Sequence, residues 1–216
     1  MTGIKPFSQA CINNREPIAA ILERVFRDRR QVLEIGSGTG QHAIFFAPRL
    51  RHLSWQPSDR AENLPGIRAW LDEYPADNLH QPIELDVDRA WPQARYDAFF
   101  TANTCHIMAW PSVTNVFAGI ARVASPSATL AIYGPFKYGG RFTSESNARF
   151  DAWLKSQVRH QGVRDIEDIV ALASGIGFEL LEDHAMPANN QLLVFGRGEK
   201  PLSSTPSTEA VQATGQ

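Results

Sequence analysis

Residues 32–42, Val-Leu-Glu-Ile-Gly-Ser-Gly-Thr-Gly-Gln-His, constrain the fold more than any other stretch of the chain. A short strand-like run with β-branched ends, Val32 to Ile35, leads into three alternate glycines, Gly36, Gly38 and Gly40. An apolar helical segment, Ala43 to Ala47, follows. Strand, glycine turn and helix form the first βα turn of a nucleotide-binding α/β sheet. Glycines suit that turn because a side chain would hold the backbone away from a ligand. The helix start offers free N–H donors and a partial positive charge to an anionic group.

Two registers fit the glycines. Gly38, Gly40 and Ala43 match the dinucleotide pattern G-x-G-x-x-G/A, which would make the chain a nicotinamide-dependent oxidoreductase. Glu34, Gly36, Gly38 and Gly40 match a second pattern, Glu-x-Gly-x-Gly-x-Gly, which resembles motif I of class I S-adenosylmethionine (SAM) methyltransferases. An acid inside a buried strand is costly unless paired or hydrogen-bonded. The resemblance implies that Glu34 lies beneath the methionine end of the cofactor and helps organise its ammonium group. Gly36, Ser37, Gly38, Thr39 and Gly40 would form the cradle.

Two further acids follow. Leu53 to Gln56 reads as a second strand, and Asp59 comes about 20 residues after the glycine loop, where a carboxylate can accept from ribose hydroxyls. NAD enzymes place an acid similarly, and a turn aspartate would also fit there. Ile83 to Val87 reads as a third strand ending in an acid. The resemblance implies that Asp86 accepts from the adenine amino group while the Val87 N–H addresses the ring.

Composition narrows the class. With 216 residues and 43% hydrophobic content, the chain suffices for one domain with a substantial core. Its net charge of −2 leaves no basic excess to neutralise a phosphate backbone, which argues against nucleic acid. Arg27, Arg29 and Arg30 read as cations at a helix C-terminus. Two cysteines, Cys11 and Cys105, suggest no disulfide framework and fit a reducing, cytoplasmic compartment. The first residues show no signal-peptide core, and no run is long enough to span a bilayer. The six histidines have no metal-ligand spacing, so no metal is expected. Nothing in the sequence indicates an oligomeric state.

Apolar periodicity places helices at Pro17 to Phe26, with Pro17 at the start, from about Asn63 to Pro75, after Ser112 as cap, around Phe150 to Val158, and from Asp165 as cap to Gly177. Tyr96 to Thr101 and Ala128 to Tyr133 read as the fourth and fifth strands. Phe178 to Glu182 and Gln191 to Phe195 lie too close together for a helical crossover and form an antiparallel hairpin. The expected fold is a Rossmann-like, doubly wound α/β sheet of seven strands. The methyltransferase resemblance implies the order 3-2-1-4-5-7-6. Residues 1–198 would form this domain. The Ser, Thr, Pro and Gln-rich residues 199–216 would form a disordered tail.

Ligands on such sheets bind at the carboxyl ends of the parallel strands. The segments predicted there are the glycine loop, Ala102 to His106, Gly134 to Tyr138, and Met186 to Asn190. A finer resemblance lies in Asn14-Arg15-Glu16-Pro17-Ile18, Trp55-Gln56-Pro57-Ser58-Asp59, Tyr133-Gly134-Pro135-Phe136, Ser144-Glu145-Ser146-Asn147, Gly162-Val163-Arg164-Asp165 and Met186-Pro187-Ala188-Asn189-Asn190. Together these look like an uncharacterised methyltransferase-like family described mainly as a domain of unknown function. That resemblance covers the chain to about Arg197 and supplies no substrate.

After strand four, Asn103 precedes Thr104, Cys105 and His106. This departs from the Asn/Asp-Pro-Pro-aromatic pattern of many N-methyltransferases. Asn103 is a candidate contact to cofactor or acceptor, and His106 a candidate base, because imidazole titrates near neutrality. Arg15 could pair with the cofactor carboxylate. Tyr138, Asn189 and Asn190 could meet the acceptor, the asparagines through their amides. The expected function is methyl transfer from SAM to a small molecule. The alternatives are a SAM or S-adenosylhomocysteine binding protein without transfer, and the oxidoreductase.

Overall fold

A computed structural model of the chain describes residues 5–198. The anticipated tail, 199–216, lies outside the described residues. The first helix, α1 (Gln9–Val25), is followed by β1 (Gln31–Ile35), α2 (Gln41–Phe46), β2 (Ser54–Asp59), α3 (Leu64–Glu73), β3 (Ile83–Glu84) and β4 (Tyr96–Ala102). Next come α4 (Trp110–Val123), β5 (Ala124–Gly134), β6 (Phe136–Tyr138), β7 (Arg141–Phe142), α5 (Glu145–Gln157), β8 (Arg164–Asp165) and α6 (Ile166–Gly175). The last two strands are β9 (Phe178–Met186) and β10 (Asn190–Arg197).

Seven strands form the main sheet in the order β3-β2-β1-β4-β5-β10-β9. This is the expected 3-2-1-4-5-7-6 order. The first five strands run parallel, and β10 lies antiparallel to both β5 and β9. Alternate residues of each strand serve opposite faces. Val32, Phe100, Ala131 and Leu192 pack under α1 and α2 with Ile18, Leu22 and Phe46. Leu33, Phe99, Leu130 and Leu193 pack under α4 and α6 with Val113, Ile120 and Ile169. Covering both faces is what buries central parallel strands.

Several elements differ from the sequence reading. Pro17 does not open α1 but sits inside it. The helix starts a full eight residues earlier, where the Ser8 hydroxyl accepts from the Cys11 N–H and the Ser8 N–H donates to Gln41 Oε1 at 2.6 Å. Asn14 and Arg15 therefore lie within the helix, not before it. Ser112 is not the cap of α4: Ala109 holds that position, and the Ser112 hydroxyl donates to Asp88 Oδ2 at 2.8 Å. The third strand spans two residues, because the chain turns away at Leu85 after one more bond, from its N–H to Asp59 O at 2.8 Å.

A second sheet, β7-β6-β8, was not anticipated. Together with α5 it forms an insertion between β5 and α6. Its glycine turn is held by acids, with Gly140 N–H donating to Asp165 Oδ1 at 2.7 Å and Gly139 N–H to Glu167 Oε1 at 3.0 Å. Asp165 stands at the N-cap of α6 but spends its carboxylate on Gly140 and Lys137. No helix of the described residues is long and apolar enough to cross a membrane.

Candidate functional site

The carboxyl ends of β1, β2 and β4 border a cavity of about 670 Å³. That volume lies within the roughly 300–1,000 Å³ usual for pockets that take cofactors and small molecules. The glycine loop forms one wall. Gly36 has φ +71, and a Cβ there would stand 2.6 Å from Thr104 Cγ2. Gly38 has φ +58 and open space where its side chain would be. These left-handed positions carry little cost only for glycine. Cross-bonds fix the loop to β2: Ser37 N–H donates to Ser58 O at 2.9 Å, and Ser58 N–H donates to Ser37 Oγ at 3.1 Å.

Asp59, at the tip of β2, also lines the cavity. Its Oδ2 accepts from Gly38 N–H at 2.7 Å, and its Oδ1 from Arg60 N–H and Asn63 Nδ2, both at 2.8 Å. A carboxylate offers about four acceptor sites, so about one remains for a ligand donor. Asp86 and Val87 line the same cavity one strand further out. Asp86 accepts from Asp88 N–H at 3.0 Å and pairs with Arg89. Asp88 is tied to α4 through Ser112 and Asn115, which holds this wall against the helix.

Glu34 lies beneath the glycine loop, 2% exposed and outside the cavity's lining. Trp55 Nε1 donates to its Oε2 at 2.9 Å. Burial nevertheless raises its carboxyl to about 7, against the pull of Trp55 and the Ser37 hydroxyl. Gly40 closes the loop with its N–H on Ser37 O at 2.9 Å. Thr39 lines the cavity with its hydroxyl 4.0 Å from Cys11 Sγ.

Asn103, directly after β4, borders the cavity with φ +60, and its N–H donates to Tyr133 O at 2.8 Å. Left-handed backbone at a non-glycine residue costs of order 1–3 kcal/mol and tends to collect at functional sites. His106 is buried outside the lining. Its ring meets Phe150 edge-on, and burial, helped by the Arg164 charge, lowers it to about 4. Burial also pushes the Cys105 thiol up to about 11.

The structure therefore brings Gly36, Ser37, Gly38, Thr39, Asp59, Asp86, Val87 and Asn103 to one cavity. Seven other candidates stand apart from its lining: Glu34, Gly40 and His106, and also Arg15, Tyr138, Asn189 and Asn190. Arg15 stacks its guanidinium over Phe45 at 4.5 Å. Tyr138, in the inserted sheet, donates to Asp183 Oδ2 of β9 in the main sheet at 2.7 Å. Asn189 has φ +56, and its Nδ2 donates to Ser146 Oγ at 3.1 Å while its carbonyl accepts from Asn147. Asn190 donates to Pro187 O at 3.1 Å, and its amide stands beside the Tyr133 phenol.

Sequence reasoning missed several lining residues. Cys11 and His42 could have been suggested by their places, one on the helix before β1 and the other two positions past the last glycine. Met108, His160 and Gln161 carry no such signal. Arg164 brings their loops together, donating to Cys105 O at 3.0 Å, Met108 O at 2.6 Å and His160 O at 2.9 Å. Among the described residues no cluster of three or more His, Cys, Asp or Glu side chains is arranged to hold a metal.

The fold is that of the class I methyltransferases. An O-methyltransferase family protein from Burkholderia thailandensis is similar to this chain with a TM-score of 0.75 at 16% identity, over 85% of this chain and 56% of that one. The mitomycin 7-O-methyltransferase MmcR gives a TM-score of 0.76 at 16% identity, over 88% of this chain and 54% of that one. An O-methyltransferase family 2 protein from Planctomyces limnophilus, solved with apigenin, gives 0.74 at 13% identity, over 87% and 57%. The chain thus spans just over half the length of these structures. The family model described as "Protein of unknown function (DUF938)" matches residues 5–197. Nearly the whole described chain falls within that match, and the protein belongs to the DUF938 family.

Proposed function

We propose that the protein binds SAM and transfers its methyl group to a small-molecule acceptor, with residues 1–198 acting as one domain. One observation carries this reading: two acids, Asp59 at the tip of β2 and Asp86 just past the end of the neighbouring β3, line the same cavity as an open glycine loop. The residues present fit the cofactor. Gly38 leaves room for close approach, Asp59 retains an acceptor site for a ribose hydroxyl, and Asp86 and Val87 offer an acceptor and a backbone donor for adenine. Glu34 lies beneath the loop, where a cationic group would favour its ionised form.

The bound cofactor supplies an activated electrophilic carbon, so the protein's task is largely to position and desolvate. Asn103 and Thr104 edge the cavity beyond the glycine loop and are suited to orient an acceptor. The similar structures named for mitomycin and solved with apigenin favour a small-molecule acceptor over a macromolecule.

Calorimetry with SAM and with S-adenosylhomocysteine tests the reading, alongside mass spectrometry of any ligand that co-purifies. Micromolar binding that weakens in Asp59→Ala supports it. Stronger thermal stabilisation by NAD(P) than by SAM defeats it in favour of an oxidoreductase. Tight SAM binding with no labelled product from metabolite extracts would leave binding without transfer.

A further inference from the structure

We infer that His42 is the proton acceptor of the transfer step, positioned by Asn14, and that the acceptor attacks through a neutral O–H or N–H group. This rests on the methyltransferase reading. His42 lies in the first turn of α2, directly past the glycine loop, and lines the cavity together with Cys11, Thr39 and Asn103. Its ring is fixed on two sides, stacked on Phe46 at 5.2 Å and edge-on to Phe100 at 5.9 Å.

The third constraint is polar. His42 Nε2 stands 2.8 Å from Asn14 Oδ1, deep in the protein. An amide oxygen only accepts, so Nε2 carries the proton and Nδ1 keeps the lone pair. Asn14 is itself buried in α1, and its amide stands near the Tyr133 phenol. Tyr133 itself is next to Ala102 across the β4–β5 register, and Ala102 lines the cavity. A base whose far nitrogen is oriented by a third group is the usual arrangement for proton transfer at a fixed point.

Burial, reinforced by the nearby Arg15 charge, lowers His42 to about 4, so the ring is neutral at physiological pH. A base this weak still suffices. As the acceptor's lone pair bonds to the methyl carbon, the carbon–sulfur pair stays on sulfur and the attacking O–H or N–H becomes strongly acidic. Its proton passes to His42 Nδ1. His106 has a similar basicity but lies outside the cavity's lining.

The test is nitrogen NMR of the imidazoles in the full chain, with His42→Gln providing the assignment. The expected result is the Nε2–H tautomer from about pH 5.5 to 8, an Nδ1 signal that moves when S-adenosylhomocysteine is added, and loss of the tautomer preference in Asn14→Leu. The opposite tautomer, or an Nδ1 signal indifferent to bound S-adenosylhomocysteine, overturns the assignment. Failure of the wild-type protein to bind S-adenosylhomocysteine at all defeats the underlying reading instead. With labelled SAM and metabolite extract, His42→Gln should bind S-adenosylhomocysteine within about threefold of wild type yet lose on the order of 10²–10⁴ in turnover. Free imidazole should restore part of the turnover of His42→Ala. Turnover by His42→Gln equal to wild type overturns the proposal.

Discussion

The backbone N–H of Gly38 donates to Asp59 Oδ2 at 2.7 Å, which locks the glycine loop to the tip of the neighbouring strand. The same carboxylate therefore shapes the loop and faces the cavity. Asp59→Asn would remove the charge and, in one amide orientation, set a donor against the Gly38 N–H. Hydrogen bonds to charged groups are worth about 1.5–3 kcal/mol. Affinity for S-adenosylhomocysteine should fall by roughly 10- to 150-fold in calorimetry, with a lower Tm even without ligand. Unchanged affinity would remove Asp59 from the binding site.

Gly36 and Thr104 meet so closely that a Cβ on residue 36 would stand 2.6 Å from Thr104 Cγ2. Gly36→Ala thus carries two penalties, one steric and one from φ +71. Thr104→Ser removes the offending methyl and keeps a hydroxyl for its 2.7 Å contact with Thr101. In a double-mutant cycle by urea denaturation, Gly36→Ala should cost about 2–4 kcal/mol alone. Combination with Thr104→Ser should recover the steric part and leave the roughly 1–2 kcal/mol of left-handed strain.

The parts of this architecture that sequence reveals are those with a local pattern. Val32 to Ile35 running into alternate glycines announces β1, the loop and α2, and the strand-end acids Asp59 and Asp86 follow at readable distances. The start of α1 is hidden because its anchor is not local: Ser8 is held by Gln41, 33 residues away, while Pro17 offers a misleading helix start. The inserted sheet is hidden because strands of two and three residues show no period. The cavity wall at His160 is hidden because Arg164 grips backbone carbonyls, which have no side-chain signature. His42 was legible by position but not by role, since only the fold brings Asn14 to its ring.

Arg164 joins two cavity-bordering loops through three carbonyl oxygens, those of Cys105, Met108 and His160. Its loss would leave these acceptors in a half-buried place without a partner. Arg164→Met should destabilise the protein by about 2–4 kcal/mol, at roughly 1 kcal/mol or more per orphaned group. Arg164→Lys should rescue little of this, because an ammonium lacks the planar fork that spans separate acceptors. Urea denaturation and S-adenosylhomocysteine affinity, measured on both variants, check the expectation. Full rescue by lysine would show that charge, not geometry, matters there.

Acid should act on this fold through three buried groups of opposite sign. His42 and His106 sit at about 4 in the folded chain, below their ordinary 6.5. Between those values the unfolded chain binds protons that the native state refuses. Their contribution is present above about pH 6.5 and lost as pH falls toward 4, at most roughly 3 kcal/mol each. Glu34 runs the other way, raised by burial from 4.5 to about 7. Its folded form prefers the proton, so its contribution is complete below pH 4.5 and lost as pH rises through 7. At pH 8 the native state holds an ionised carboxylate that would be better solvated in the unfolded chain. Glu34→Gln should therefore gain stability over wild type at pH 8, by up to about 3 kcal/mol, and gain little at pH 5. The same carboxyl, close to half-protonated at neutral pH, should release about half a proton when a cation binds above it. Calorimetry of SAM in buffers of different ionisation enthalpy would read that release, and Glu34→Gln should abolish it. Equal stabilisation of the variant at both pH values would mean that Glu34 is ionised throughout, held by a stronger partner than Trp55.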